Sequence, residues 1–406
     1  MVINIRTFVT IAGKKYYLEK IKNKIVLNLS DKQISDIKDI NGLDRLSNIN
    51  ILNLSKNRIQ KLETLENLTE LEVLNLYDNQ IEKIENLENS IGIKKLNLQW
   101  NLLKKISGLE KISNLNWLNL QNNKFDSIQG LQNLKQLKIL QLQHNLIEDL
   151  KGIDSLSSLT ELYLSDNEIT KIPNLNKNNR LQILDFSENK ILKIGGLESL
   201  ACLIILRLSS NKIETIEGLK DNKKLQELYL NNNKIREING LEHQIKLKIL
   251  DLSLNKIKEI KGLENLNSLK SLNLNGNNIR KIINLDSISH LKELYLNGNN
   301  IQILTQLQNL KDLKKLYIND NHIKSASILY VLCNLEELSL RGNKINDINR
   351  LWNLKRLKYL NLAGNPIFEK IKKRYKKIHS AYDEILDIND FLKELPNIIK
   401  DQKKIS

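Results

Sequence analysis

The sequence predicts an α/β solenoid: a parallel β-sheet lining a concave side, with short 3₁₀ or extended turns returning along a convex side. Three observations predict it. Fifteen asparagines, from Asn57 to Asn365, fall on one arithmetic series with a step of 22 residues, and a fixed period of this length marks stacked repeats. Each asparagine follows an apolar-x-apolar triplet such as Leu228-Tyr229-Leu230, whose period of two is that of a strand with one face in a core. After it come apolar residues three apart, Ile235, Ile238 and Leu241 in the same repeat, a spacing that suits tight outer turns.

The repeat is clearest over Leu225–Leu241, LQELYLNNNKIREINGL, with the skeleton L-x-x-L-x-L-x-x-N-x-I-x-x-I-x-x-L. This is the pattern of a leucine-rich repeat, so the solenoid is expected to be a leucine-rich-repeat horseshoe. Each column has a physical reason. Leu228 and Leu230 point inward, so Tyr229 between them points to the exposed sheet face. The ninth-place asparagine both donates and accepts, and stacked copies form a ladder that pairs backbone groups buried at the turn. One repeat alone cannot bury its apolar face, so stability comes from stacking.

Taken in order, residues 1–24 lie outside the period and read as an N-terminal cap. Ile3, Ile5, Val9 and Ile11 alternate with more polar residues, and Ala12-Gly13 offers a turn. A short strand or hairpin plus Leu18–Lys22 would cover the open edge of the sheet. Residues 25–365 hold sixteen repeats in one elongated domain. The first is divergent: Lys32 stands at the asparagine place, and 25 residues separate Leu27 from Leu52. Ser90, Asn178, Asn222 and Gln244 replace a leucine and Ala326 an isoleucine on the outer turns, and these departures read as tolerable rather than functional. Residues 366–406 read as a C-terminal cap with a helix-like run, Phe368–Leu392, whose basic stretch Lys370–Lys377 reads as a solvated helix face.

The 22-residue repeats, the Asn365-Pro366-Ile367 stop, Tyr375 ten residues on and an ILDIND segment (Ile385–Asp390) resemble the capped leucine-rich-repeat class typified by the regulatory subunit of protein phosphatase 1. In that class the middle column of the triplet carries alternating aromatic and acidic residues that dock the enzyme. Tyr229 and Asp251 match that alternation here, with Arg207 before and Asn273 after them. The resemblance implies a phosphatase catalytic subunit as one candidate partner.

Composition narrows the function. There is no G-x-x-x-x-G-K-[ST], G-x-S-x-G or H-E-x-x-H motif, and the five histidines have no ligand spacing. No catalytic residue, metal or cofactor is therefore expected. The formal charge of +16 suggests nucleic acid first, but the sheet-facing columns of repeats two to sixteen hold ten acids and five bases, a net −5. A groove that tracks phosphates needs Lys and Arg along its lining, which argues against nucleic acid on the concave face. The positive charge lies at the termini and on a row of lysines after the asparagines, Lys190, Lys212, Lys234 and Lys256. An anionic partner, nucleic acid or membrane surface, bound on those flanks and termini is the alternative reading.

The main expectation is a non-catalytic scaffold that grips a protein partner on its concave face. Exposed aromatics interleaved with acids supply anchors and specificity. The candidate binding residues are Glu161, Tyr163, Asp185, Arg207, Glu227, Tyr229, Asp251, Asn273, Glu293, Tyr295 and Tyr317. No apolar run approaches the ~18 residues of a membrane span, and the N-terminus is too polar for a secretory signal. Cys202 and Cys333 sit six repeats apart, about 29 Å at the spacing of stacked strands and beyond disulfide reach. A monomer in the cytoplasm, with the nucleus as the alternative, is the expectation.

Overall fold

A computed structural model of the chain describes residues 7–375, 377–379, 384–385 and 387–400. The fold is a leucine-rich-repeat solenoid built on a parallel sheet. By compactness it divides into two units, Met1–Ile191 with Gly195–Leu203, and Leu192–Ile194 with Ile204–Ser406.

The first unit opens with strand β1 (Phe8–Ile11), which turns at Ala12-Gly13 and pairs antiparallel with β2 (Lys14–Tyr17). Next, β3 (Glu19–Ile21) pairs antiparallel with β4 (Lys24–Asn28), the strand of the first repeat. The expected edge cover is thus a hairpin plus one further strand; Ile3 and Ile5 lie outside the described residues. From β4 onward the pairing is parallel, in register leucine on leucine: Leu27 on Leu52, Leu52 on Leu74, and onward to Leu162 on Leu184. In the second unit the same register runs from Leu206 on Leu228 to Leu338 on Leu360.

Each repeat after the first contributes a three-residue strand whose central leucine is fully buried, as at Leu228, while its neighbours Glu227 and Tyr229 are half-buried. The ninth-place asparagine then closes the turn. Nδ2 of Asn233 donates to the carbonyls of Leu208 (2.9 Å), Leu230 (3.0 Å) and Asn231 (3.3 Å), and Oδ1 accepts from the Ile213 amide (3.0 Å). One side chain thereby pairs four backbone groups of two repeats, which would otherwise be buried without water. The first repeat manages without an asparagine of its own, because the amide of Lys32 donates to Oδ1 of Asn57 in the next repeat at 2.9 Å.

The outer turns are bends and 3₁₀ segments such as Ile153–Ser155 and Ser327–Val331. Close stacking here demands glycine at Gly240: its φ is +68°, and an added Cβ would lie 2.2 Å from the Ile216 carbonyl oxygen. The outer-turn polar residues are part of the core. Ser90, Asn178, Asn222 and Gln244 are completely buried, because that column packs inward from the turn. Nδ2 of Asn178 donates to the carbonyls of Ile153 (2.9 Å) and Leu156 (3.0 Å), and Nε2 of Gln244 donates to Leu219 (2.6 Å). The side-chain oxygens of Asn178 and Gln244 and the Ser90 hydroxyl have no partner among the described residues.

The C-terminal cap differs from expectation. Its first helix, α1 (Pro366–Lys372), stops well short of the helix-like run. A two-residue ladder, Ile378–His379 with Glu384–Ile385, follows, and α2 (Ile388–Lys400) begins inside the ILDIND segment. The buried Tyr375 sets this geometry. Its hydroxyl donates to the Asp387 carbonyl (3.1 Å) just ahead of α2, and its ring meets Phe391 of α2 edge-on. Ser380, Ala381 and Tyr382 lie outside the described residues.

Candidate functional site

The exposed face of the sheet is built from the residue between the two buried leucines of each triplet and its neighbours. That middle position has two chemistries. Where it is Asn or Asp, the side-chain oxygen accepts from the backbone amide two residues on: Asn53 from Ser55 (3.1 Å), Asn97 from Gln99 (3.1 Å), Asp185 from Ser187 (2.9 Å), Asp251 from Ser253 (2.9 Å) and Asn273 from Asn275 (3.1 Å). Short carboxylate and amide side chains make this turn readily. Asp251 is fully engaged, since it also accepts from the Ser253 hydroxyl (2.6 Å) and from Nδ2 of Asn273 (3.0 Å).

Tyrosine cannot make that turn. Its ring stays on the sheet face, half-buried, and its hydroxyl donates to a glutamate. In the first unit Tyr163 donates to Glu161 (2.9 Å). In the second unit Tyr229 donates to Glu227 (3.0 Å), Tyr295 to Glu293 (3.3 Å) and Tyr317 to Glu337 in the next repeat. At Tyr295 and Tyr317 the freed backbone amides are paired by a second asparagine ladder: Oδ1 of Asn275 accepts from the Asn297 amide, and Oδ1 of Asn297 from the Asn319 amide, both at 2.7 Å. Oδ1 of Asn319 accepts from the amide of Arg341 at 2.8 Å.

The second unit therefore carries a dense cluster. The Tyr295 and Tyr317 rings stack with centroids 5.4 Å apart. The Lys315 ammonium lies 3.7 Å from Glu293 and 3.4 Å from Glu337, tying the two carboxylates together. The Arg207 guanidinium sits over the Tyr229 ring at 5.6 Å, a cation–π contact. Burial, and then the adjoining glutamates, push the hydroxyls of Tyr229, Tyr295 and Tyr317 above their ordinary range, so all three stay protonated donors. Glu293 and Glu337 raise the Lys315 ammonium.

Of the eleven sequence-predicted residues, Arg207, Glu227, Tyr229, Glu293, Tyr295 and Tyr317 thus form the sheet face of the second unit. Asp251 and Asn273 lie there too, but serve the backbone. Glu161, Tyr163 and Asp185 belong to the first unit, where Asp185 also serves the backbone. The residues missing from the prediction are Lys315, Glu337 and the second ladder. The repeated L-N-G-N-N at Leu274–Asn278 and Leu296–Asn300 was the available signal for that ladder.

Comparison with known proteins settles the family. The model for leucine-rich repeats in pairs matches residues 47–89, 157–199, 203–243, 289–330 and 333–374, more than half of the chain. The chain belongs to the leucine-rich-repeat family. A second leucine-rich-repeat model matches residues 113–169. Among solved structures, the chain is similar to a leucine-rich-repeat protein of Leptospira interrogans, with 25% identity, a TM-score of 0.72, and coverage of 79% of this chain and 90% of that one. It is also similar to an internalin of Listeria monocytogenes, with 26% identity, a TM-score of 0.66, and coverage of 82% and 92%. No curated protein sequence matches the chain. Repeats of this family are generally non-catalytic and typically serve as protein-binding scaffolds. No helix among the described residues is long and apolar enough to cross a membrane.

Proposed function

We propose that the protein is a non-catalytic scaffold that holds a protein partner on the sheet face of its second unit. One observation carries this reading: Tyr229, Tyr295 and Tyr317 stand half-exposed on a rigid sheet, each fixed by a glutamate. Aromatic anchors fixed before binding lose little freedom on association and are the residues that dominate interfaces. The surrounding acids, with Lys315 and Arg207, would set orientation and exclude wrong partners. The unpaired thiols of Cys202 and Cys333 support a reducing compartment, the cytoplasm or, as the alternative, the nucleus.

A phosphatase catalytic subunit is the partner that the family resemblance suggests. Its local support is confined to Tyr229 and Asp251, and both oxygens of Asp251 accept bonds within the fold. The test therefore leaves the partner open. Affinity capture from native lysate should recover a partner with the wild type and lose it with Tyr295→Ala plus Tyr317→Ala, a change of about 30-fold per anchor at ~2 kcal/mol each. Capture that survives this pair but fails with Lys212→Glu plus Lys234→Glu would refute the sheet-face reading.

One observation favours the second reading, a flank site for an anionic partner. Arg236, Lys256, Lys258, Arg280 and Lys281 line two adjoining hollows of about 510 and 410 Å³, with Glu237 and Glu259 as the acids. Steep loss of capture between low and moderate salt would support it.

A further inference from the structure

The N-terminal hairpin carries chemistry that edge cover does not require. The β1–β2 register pairs Phe8 with Tyr17 and Thr10 with Lys15 on one face, and Val9 with Tyr16 on the other. Val9 is completely buried, so its face is the one turned into the fold. The opposite face presents an aromatic pair to solvent: Phe8 is 37% and Tyr17 53% exposed, their rings edge to face at 5.6 Å. Exposed Lys15 flanks it on the same face, and exposed Lys14, Lys20 and Lys22 lie close by in the chain, with Glu19 as the one acid among residues 7–24. The turn between the strands is exposed Ala12-Gly13, with no bulk to hold a surface away.

We propose that this hairpin docks the protein on an anionic lipid surface. Rings placed at the headgroup level and ammonium groups reaching lipid phosphates are the two signals that together hold a protein on a bilayer. Single-stranded nucleic acid is the competing polyanion, and it would need open ring faces for its bases to stack on. Here an ammonium group of the chain already lies over one of those rings, Lys15 at 4.4 Å from the Phe8 centroid, while Lys14 and Lys32 lie 5.9 and 5.8 Å from the Tyr16 ring on the other face. Lys15 need not move to meet a lipid phosphate, whereas a base stacking on Phe8 would have to displace it. The aromatic edge and the lysines remain available to a flat anionic surface. This site lies wholly within the first unit and is independent of the partner site on the tyrosines.

The test is sedimentation of the full-length chain with vesicles of phosphatidylcholine, alone or mixed with phosphatidylserine, beside anisotropy with a labelled single-stranded oligonucleotide. The wild type should pellet with the phosphatidylserine vesicles only, and less as salt rises. Lys14→Glu with Lys15→Glu should weaken this by about 25-fold or more, at roughly fivefold for each lost lysine. Tyr17→Ser should weaken it with the charges intact. Lys223→Glu with Lys224→Glu, the same charge change on an outer turn of the second unit, should leave it unaltered; both pairs are exposed, and circular dichroism checks that they fold. Equal loss from the two pairs would mean attraction by net charge alone and overturn the proposal. So would failure of the wild type to pellet, or binding to the oligonucleotide without binding to vesicles.

Discussion

The early strands of the first unit and the tyrosine strands of the second place different residues at the same position, and the difference separates architecture from recognition. At Asn53, Asn75, Asn97 and Asn119 the side chain caps the backbone two residues on. Nδ2 of Asn75 also donates to Asn53, and Nδ2 of Asn53 to Asn28, both at 3.0 Å. Their polar atoms are turned inward on the repeat, so little remains for a partner. At Tyr295 and Tyr317 the backbone amides are paired from elsewhere, by Asn275 and Asn297. The ring is released from structural service and the surface gains an anchor.

The largest expected effect tests the ladder common to both regions. Asn255→Ala removes donations to Leu230, Leu252 and Ser253 and the acceptor of the Ile235 amide. Buried groups left unpaired cost roughly 1–3 kcal/mol each, so a loss of about 3 kcal/mol is expected in urea unfolding of the full chain. A change below ~1 kcal/mol would show that water replaces the ladder.

The second prediction contrasts the two regions directly. Asn97→Ala should cost about 1 kcal/mol by orphaning the Gln99 amide. Tyr317→Phe, which keeps the ring and loses one partly exposed hydrogen bond, should stay within ~0.5 kcal/mol while partner capture weakens through Glu337. Equal stability losses would erase the distinction between capping and anchoring positions.

A third prediction uses pH. The hydroxyls of Tyr229, Tyr295 and Tyr317 are raised above the ordinary 10.0. Groups raised in the folded state add stability that is complete below the unfolded value and lost as pH rises beyond it. Stability should fall above pH 10, and phenolate absorbance should show a late-titrating fraction that Tyr295→Phe plus Tyr317→Phe reduces. The smallest effect concerns the exposed Glu336, which Lys358 and then Lys314 hold down to about 2. Here the sign is reversed: its contribution is present above the ordinary 4.5 and lost as pH falls towards 2. Lys358→Ala should move the carboxyl back up in a carbon-13 titration, with little change in overall stability.

Much of this was legible in the chain. The period of 22, the L-x-L triplet and the asparagines imposed the repeat, because each is a local pattern that only one stacked arrangement satisfies. The candidate site was half legible. Alternation placed Tyr229, Tyr295 and Tyr317 on the sheet face, since side-chain direction along a strand is fixed by its period. Alternation could not reveal that Asp185, Asp251 and Asn273 turn back to the backbone, or that Lys315 links Glu293 to Glu337 across neighbouring repeats.

The sequence by itself thus determined the solenoid, its core leucines and the faces of its strands, all properties of spacing. Tertiary structure alone decided three things: how Ser90, Asn178 and Gln244 are buried and paired on the outer turns, the start of α2 at Ile388 behind Tyr375, and which face residues are free to bind. Each depends on atoms brought together from residues some 12 to 25 places apart. A hydrogen-bonding group's availability is settled by the partner it meets in space, and a one-dimensional pattern does not record that meeting.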